Sequence, residues 1–163
     1  MGEAVEVRPG RDADVGAVAT IWREGWRDGH LTHVPDALVA VRTAESFAVR
    51  AGDRVADTTV AVVGGAVAGF VMVAGDEVEQ VYCDRRHRGG DVANTLIAEA
   101  ERLVAAARHE RAWLAVVAGN GRARRFYERN GWIDEGPFDY PARTDDGPIS
   151  VPCHRYTKRV ANR

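Results

Sequence analysis

The chain has 163 residues, 45% hydrophobic and 28% charged, with a net charge of -2 and Lys158 as the only lysine. This is the composition of an ordinary globular protein with room for one full core. A single domain over 1–163 is therefore expected, and a disordered or fibrous class and a general nucleic-acid binder are excluded. No apolar run is long enough to span a bilayer and Met1 to Glu6 is not an apolar signal segment, so no membrane partner and a cytoplasmic location are expected.

In chain order, Val5 to Arg8 alternates apolar and charged residues and reads as a first, edge-like strand before Pro9-Gly10. Asp12 or Asp14 caps a helix whose Val15, Val18, Ala19 and Trp22 fall at helical spacing, ending near Gly29. Thr32 to Pro35 is a loop, and Pro35-Asp36 opens a second helical region reaching about Val49. Thr58 to Val63 and Val67 to Ala74 flank Gly64-Gly65 as a β-hairpin. The next strand runs from Glu77 to Asp84. Strict alternation puts Glu77, Glu79, Val81 and Cys83 on one face and Val78, Gln80 and Tyr82 on the other. From Asp91, the positions Val92, Leu96, Ala100, Leu103 and Ala107 describe a one-sided helix. Ala112 to Ala118 is continuously apolar, the pattern of a strand covered on both faces. Asn120-Gly121 breaks it, and Arg122 to Asn130 is a short helix stopped by Gly131. Trp132-Ile133 and Ile149 to Tyr156 supply closing strands around a loop rich in Pro, Gly and Asp.

Chemistry concentrates where the strand ending at Cys83 meets the helix starting at Asp91. Arg86-His87-Arg88-Gly89-Gly90-Asp91 joins glycines that let the backbone approach an anion to helix-start amides and a dipole that favour negative charge. A Walker loop is excluded because no Gly-Lys-Ser or Gly-Lys-Thr follows, and the glycine spacing is wrong for a dinucleotide fold. Cys83 and Cys153 stand far apart without a CxxC pattern. His30 and His33 lack acidic or thiol partners at ligand spacing, so neither a disulfide framework nor a metal site is expected.

The run Val81 to Ala93, followed by Leu96, resembles the acetyl-CoA-binding motif of the GNAT family of N-acetyltransferases, Arg/Gln-x-x-Gly-x-Gly/Ala. A second block, Asn120-Gly121-Arg122-Ala123-Arg124-Arg125-Phe126-Tyr127-Glu128-Arg129-Asn130-Gly131-Trp132, resembles the family's Asn-x-x-Ala-x-x-Phe-Tyr-x-x-x-Gly-Phe segment. The resemblance extends from Val5 to about Tyr156. It implies an α/β fold with a mixed, mostly antiparallel sheet flanked by helices, whose fourth and fifth strands splay apart. It also implies transfer of an acetyl group from acetyl-CoA to a primary amine of a small molecule or peptide by direct attack, without a metal. Dimerisation through the closing strands is common in the family. A non-catalytic module that binds CoA esters is the alternative reading.

By motif position, Val81 and Cys83 would offer backbone groups to the pantetheine, and Arg88, Gly89, Gly90, Asp91, Val92 and Ala93 would cradle the pyrophosphate. Asn120 would bind the pantetheine from the fifth-strand side, Phe126 would pack on the cofactor, and Tyr127 would sit near the sulfur and donate a proton to it. Asp91 departs from the motif, setting a carboxylate where Gly or Ala is usual and where like charges repel. Glu77 and Glu79 are the candidate bases for the incoming ammonium, directly or through water. Relatives such as ribosomal-protein N-acetyltransferases carry a fifth-strand glutamate where this chain has Ala115. Trp22, Trp26, His30 and His33 lie in the region that walls the acceptor site in the resembled family, and Glu24 and Asp28 would add acidity there. Trp22 also fits a plain core position, and Arg122, Arg124 and Arg125 stand as candidates for the cofactor's 3'-phosphate.

Overall fold

A computed structural model describes residues 4–161. Seven strands form one sheet in the order β1-β2-β3-β4-β5-β7-β6, with β1 at Glu6–Pro9, β2 at Thr58–Val63, β3 at Ala66–Ala74 and β4 at Glu77–Cys83. The others are β5 at Arg111–Val117, β6 at Ile133–Ala142 and β7 at Ile149–Arg159. Every neighbouring pair is antiparallel except β4 and β5. Five helices, α1 (Val15–His30), α2 (Asp36–Val41), α3 (Ala44–Asp53), α4 (Asp91–Ala106) and α5 (Gly121–Arg129), flank it. This is the expected mixed α/β architecture.

The sheet divides the core into two layers. On one face, Leu96, Ile97 and Val104 of α4 pack with Val71, Leu114 and Tyr156. On the other, Trp22, Trp26 and Phe47 of α1 and α3 pack with Phe70, Met72 and Val117. Leu96 and Ile97 are essentially fully buried, each worth roughly 1.5–3 kcal/mol of apolar burial. β5 sends Leu114 to one layer and Val117 to the other, which explains its unbroken apolar run.

Four details depart from the sequence reading. Asp14 does not cap α1 through its side chain; its carboxylate accepts from the Arg11 amide at 2.9 Å and pairs with Arg8 at 2.7 and 3.0 Å, locking the chain between β1 and α1. The second helical region is two helices, because the backbone breaks at Arg42 and Thr43 restarts it by accepting from the Ser46 amide at 3.1 Å. Most of the Pro/Gly/Asp-rich stretch is strand, and only residues 143–148 form the expected loop: β6 runs along the sheet edge, where Pro137 and Pro141 need not donate to a second neighbour. Last, β4 carries a bulge. Met72 pairs with Gln80 but Val73 pairs with Val78, leaving Glu79 as an extra residue.

Helix α1 lies very close to the sheet. A methyl on Gly25 would sit 2.3 Å from the Tyr82 ring, and one on Gly29 2.7 Å from the Asn120 side-chain nitrogen. The i,i+4 glycines therefore let α1 cross both β4 and the turn after β5. One turn of helix between them, Asp28 receives Arg85 through two bonds of 2.9 Å and Arg88 at 2.7 Å. These arginines, Arg85 foremost, hold the Asp28 carboxyl down at about 2.

Gly25→Ala should lower unfolding stability by about 1–3 kcal/mol through this clash, whereas Gly52→Ala in α3, where a methyl meets nothing, should raise it by up to about 1 kcal/mol; denaturant titration measures both. Because the folded Asp28 pKa lies below its unfolded value, its stabilisation is present above about pH 4 and lost as pH falls through about 2. Wild-type stability should therefore fall more steeply than that of Asp28→Asn across that window, and the gap between them should close at its acidic end.

Candidate active site

The site is organised by a break in the sheet. β4 and β5 share a single bridge, Glu77 to Trp113, supported by the Trp113 amide donating to the Asp76 carbonyl at 3.0 Å. Beyond it the strands diverge. The Asp84 amide donates to the Ala68 carbonyl at 2.8 Å. Alternation along an antiparallel ladder then turns the backbone groups of Val81 and Cys83 away from β3 and into the gap. From the other side, the Ala118 amide donates to the Pro152 carbonyl at 3.1 Å, so Ala115 turns its backbone groups into the same gap.

At the C-terminal end of β4, the Asp84 side chain caps a turn of 3-10 helix, Arg85–His87, by accepting from the Arg86 amide at 2.9 Å. Gly89 then adopts φ +78°, and Gly90 leads into α4 with no side chain capping the helix start. A methyl at Gly89 would meet nothing and one at Gly90 only the His87 carbonyl, 3.6 Å away, so the space beside both glycines is open. Asp91 is exposed, while Val92 is buried and Ala93 half-buried. Arg88 stays beside the loop through Asp28.

The second motif block lies across the gap. Asn120 accepts from the Ala123 amide at 3.2 Å, capping α5, while its nitrogen packs on Gly29. Phe126 is half-buried with its ring centroid 5.2 Å from that of Tyr127. Tyr127 is buried among Phe126, Trp132 and Tyr156, and burial pushes its phenol well above the ordinary tyrosine range, so it is protonated at neutral pH. Arg124 is committed elsewhere: it donates to the Tyr156 hydroxyl at 3.1 Å, the Ala118 carbonyl at 3.2 Å and Asp134 at 3.1 Å. Arg122 and Arg125, by contrast, are exposed.

On the α1 and α3 side the gap opens into a cavity of about 760 Å³. The bulge corrects the faces expected for β4: Glu77, Glu79, Gln80 and Tyr82 all line this cavity, while Val78, Val81 and Cys83 pack toward α4. The two glutamates differ. Glu77 accepts from the Tyr140 hydroxyl at 2.6 Å, and burial raises its carboxyl above the ordinary range. Glu79 is ion-paired with Arg54 at 2.6 Å. Trp22, Trp26 and His30 line the cavity too, but Glu24 and Asp28 do not; Asp28 points to the loop instead. His30 stacks on Trp26 with parallel rings 5.5 Å apart, and burial pushes its imidazole down to about 4. His33 is exposed and packs on Gly119.

Among the described residues, no group of three or more His, Cys, Asp or Glu could hold a metal ion, and both cysteines are free. No helix among them is long and apolar enough to cross a membrane. Tyr140, Arg42 and Arg50 also line the cavity and were not anticipated. Period-two spacing of Phe138, Tyr140 and Ala142 could have revealed the first. Nothing local marks the arginines.

No curated protein sequence matches the chain significantly. Its fold is similar to that of a GCN5-related N-acetyltransferase from Rhodopseudomonas palustris, at 19% identity and TM-score 0.75 over 98% of each chain. It is similar to the PaiA N-acetyltransferase from Thermoplasma acidophilum, solved in complex with coenzyme A, at 16% identity and TM-score 0.74 over 96% of this chain and 99% of that one. YncA from Salmonella typhimurium, solved with its cofactor acetyl-CoA, aligns at 14% identity and TM-score 0.70 over 98% and 96%. Residues 17–132 match the model of the Acetyltransferase (GNAT) family. With both motif blocks, the diverging strands and the family match in agreement, the chain belongs to the acetyltransferase (GNAT) family and is an enzyme of the N-acetyltransferase class.

Proposed function

We propose that this protein, acting as one acetyltransferase domain, moves an acetyl group from acetyl-CoA to a primary amine on a small molecule or peptide by direct attack. The observation that carries this reading is the single β4–β5 bridge, which leaves a gap ending in the Gly89-Gly90 loop and opening into the polar cavity. The residues fit the cosubstrate. Val81 and Cys83 offer backbone donors and acceptors to an amide-bearing pantetheine arm. The amides following Gly90, with Arg88, suit a pyrophosphate at a helix start. Asp91, being exposed, keeps its carboxylate in solvent, where screening weakens its repulsion of phosphate. Asn120 and Phe126 face the arm from the α5 side.

Bound there, acetyl-CoA supplies an activated thioester, and the protein contributes position and proton management. Glu77 takes the proton of the attacking ammonium. It is half-buried, its proton affinity is raised, and Tyr140 is a neutral partner. Glu79, held by Arg54, stays charged and attracts the cation. Tyr127, kept protonated by burial, donates to the departing sulfur.

Titration calorimetry should detect acetyl-CoA binding, and amine-dependent thiol release should follow; absence of binding would overturn the reading. Tyr127→Phe should lower kcat about 10²-fold or more while leaving acetyl-CoA affinity within about twofold. For Glu77, wild-type kcat/KM should fall as pH drops through the pKa of this raised carboxyl. Glu77→Gln should show a low rate without that acidic limb, and an intact limb would assign the base elsewhere.

A further inference from the structure

Two buried donors on residues that line the cavity have no acceptor. Among the described residues, the buried side-chain polar atoms without a hydrogen-bond partner are Trp22 Nε1 and Arg50 Nη1. Both residues line the cavity, and they touch: the Arg50 guanidinium lies 4.2 Å from the Trp22 ring centroid and 5.5 Å from that of Phe47. Trp22 and Phe47 are fully buried, so this platform is fixed by the core. Buried donors are nearly always satisfied, and a stacked guanidinium is preorganised to accept a planar oxyanion through its fork.

The local charge also lacks compensation. Neither Arg50 nor Arg42 belongs to an ion pair among the described residues, whereas nearby Arg54 has both Asp57 and Glu79. Arg42 donates to the Arg143 carbonyl at 2.7 Å, which leaves its charge unmatched. Burial, with Arg42 next in weight, holds Arg50 at about 10, so it still carries its charge at neutral pH. The remaining rim acids, Glu45, Asp53, Asp145 and Asp146, are exposed to solvent. The cavity lining thus combines two arginines from the α2–α3 segment, neither of them in an ion pair among the described residues, with the Glu77 and Glu79 carboxylates of β4.

We infer that the acceptor is an amino acid or amino-acid-like compound, its carboxylate held by Arg50 with Arg42 beside it and its amine directed to Glu77 and Glu79. This rests on the acetyl-transfer reading and adds the acceptor's chemical class. Long peptides offering only an N-terminal amine do not complete the site, because their carboxylate lies too far from the amine.

The test measures thiol release from acetyl-CoA by the whole protein with free α-, β- and ω-amino acids, each paired with its methyl ester, which keeps the amine and removes the charge. At least one acid should exceed its ester in kcat/KM by about 10- to 100-fold. Arg50→Met should reduce that ratio to about one, chiefly through KM, and Arg50→Lys should restore part of it; thermal unfolding and acetyl-CoA calorimetry verify that both variants fold. The preferred acid should also perturb tryptophan fluorescence in the wild type and not in Arg50→Met. Esters accepted as well as acids, or a ratio unchanged by Arg50→Met, would overturn the inference while leaving acetyl transfer standing. Calorimetric binding of an acid dependent on Arg50, without thiol release from any amine, would support the carboxylate site and contradict the transferase reading. Neither binding nor turnover of any acid would overturn the inference.

Discussion

Adjacent parallel strands normally share a ladder of slanted hydrogen bonds, and here β4 and β5 share one bridge, at Glu77 and Trp113. The proposed chemistry follows from the missing rungs. An unpaired backbone group buried without a partner is costly, so a protein that keeps such a gap open must leave it to water or reserve it for a ligand. The gap also divides an otherwise closed sheet into two approaches, one from the loop at the start of α4 and one from the cavity beneath α1 and α3. Under the proposed direct transfer, two reactants would meet there without either having to leave first.

Keeping the strands apart requires support that neither strand supplies. Helix α1 provides it, with glycines at 25 and 29 seated on Tyr82 of β4 and on Asn120 after β5. From the same turn, Asp28 draws Arg85 and Arg88 toward the helix. Across the gap, the Asn120 cap on α5 and the Arg124 network to Tyr156, Ala118 and Asp134 hold the opposite bank. The two core layers anchor both sides, so the opening is present before any ligand arrives and binding does not have to create it. The bulge at Glu79 completes the device, because one extra residue puts both glutamates on the same side as Gln80 and Tyr82, facing the cavity.

Much of this was legible from the chain alone where the physics is local. The 3.6-residue period of α4, the glycine loop ahead of it and the Asn120 to Trp132 block each follow short-range rules, and the core position of Trp22 follows from its spacing in α1. What escaped was set by distant partners. Strict alternation misassigned the faces of β4 because a bulge is defined by the neighbouring strand, not by the strand that carries it. β6 read as a loop because its prolines and glycine mask a strand that only an edge position tolerates. The break between α2 and α3 depends on a cap by Thr43, a residue common in many contexts. Asp28 and Arg50 were illegible in a deeper sense. An acid reaching two loop arginines and an arginine lying on Trp22 are tertiary facts, and no spacing in the chain encodes them.

The proposed function requires that the backbone of β4 facing β5 be held open for coenzyme A. Residue-resolved amide hydrogen exchange, with and without coenzyme A, addresses it most directly. Val81 and Cys83 should exchange fast in the free protein and slow strongly, together with Val92 and Ala93, when the coenzyme is added. Saturating coenzyme A that protects other amides but leaves Val81 and Cys83 unchanged would contradict it.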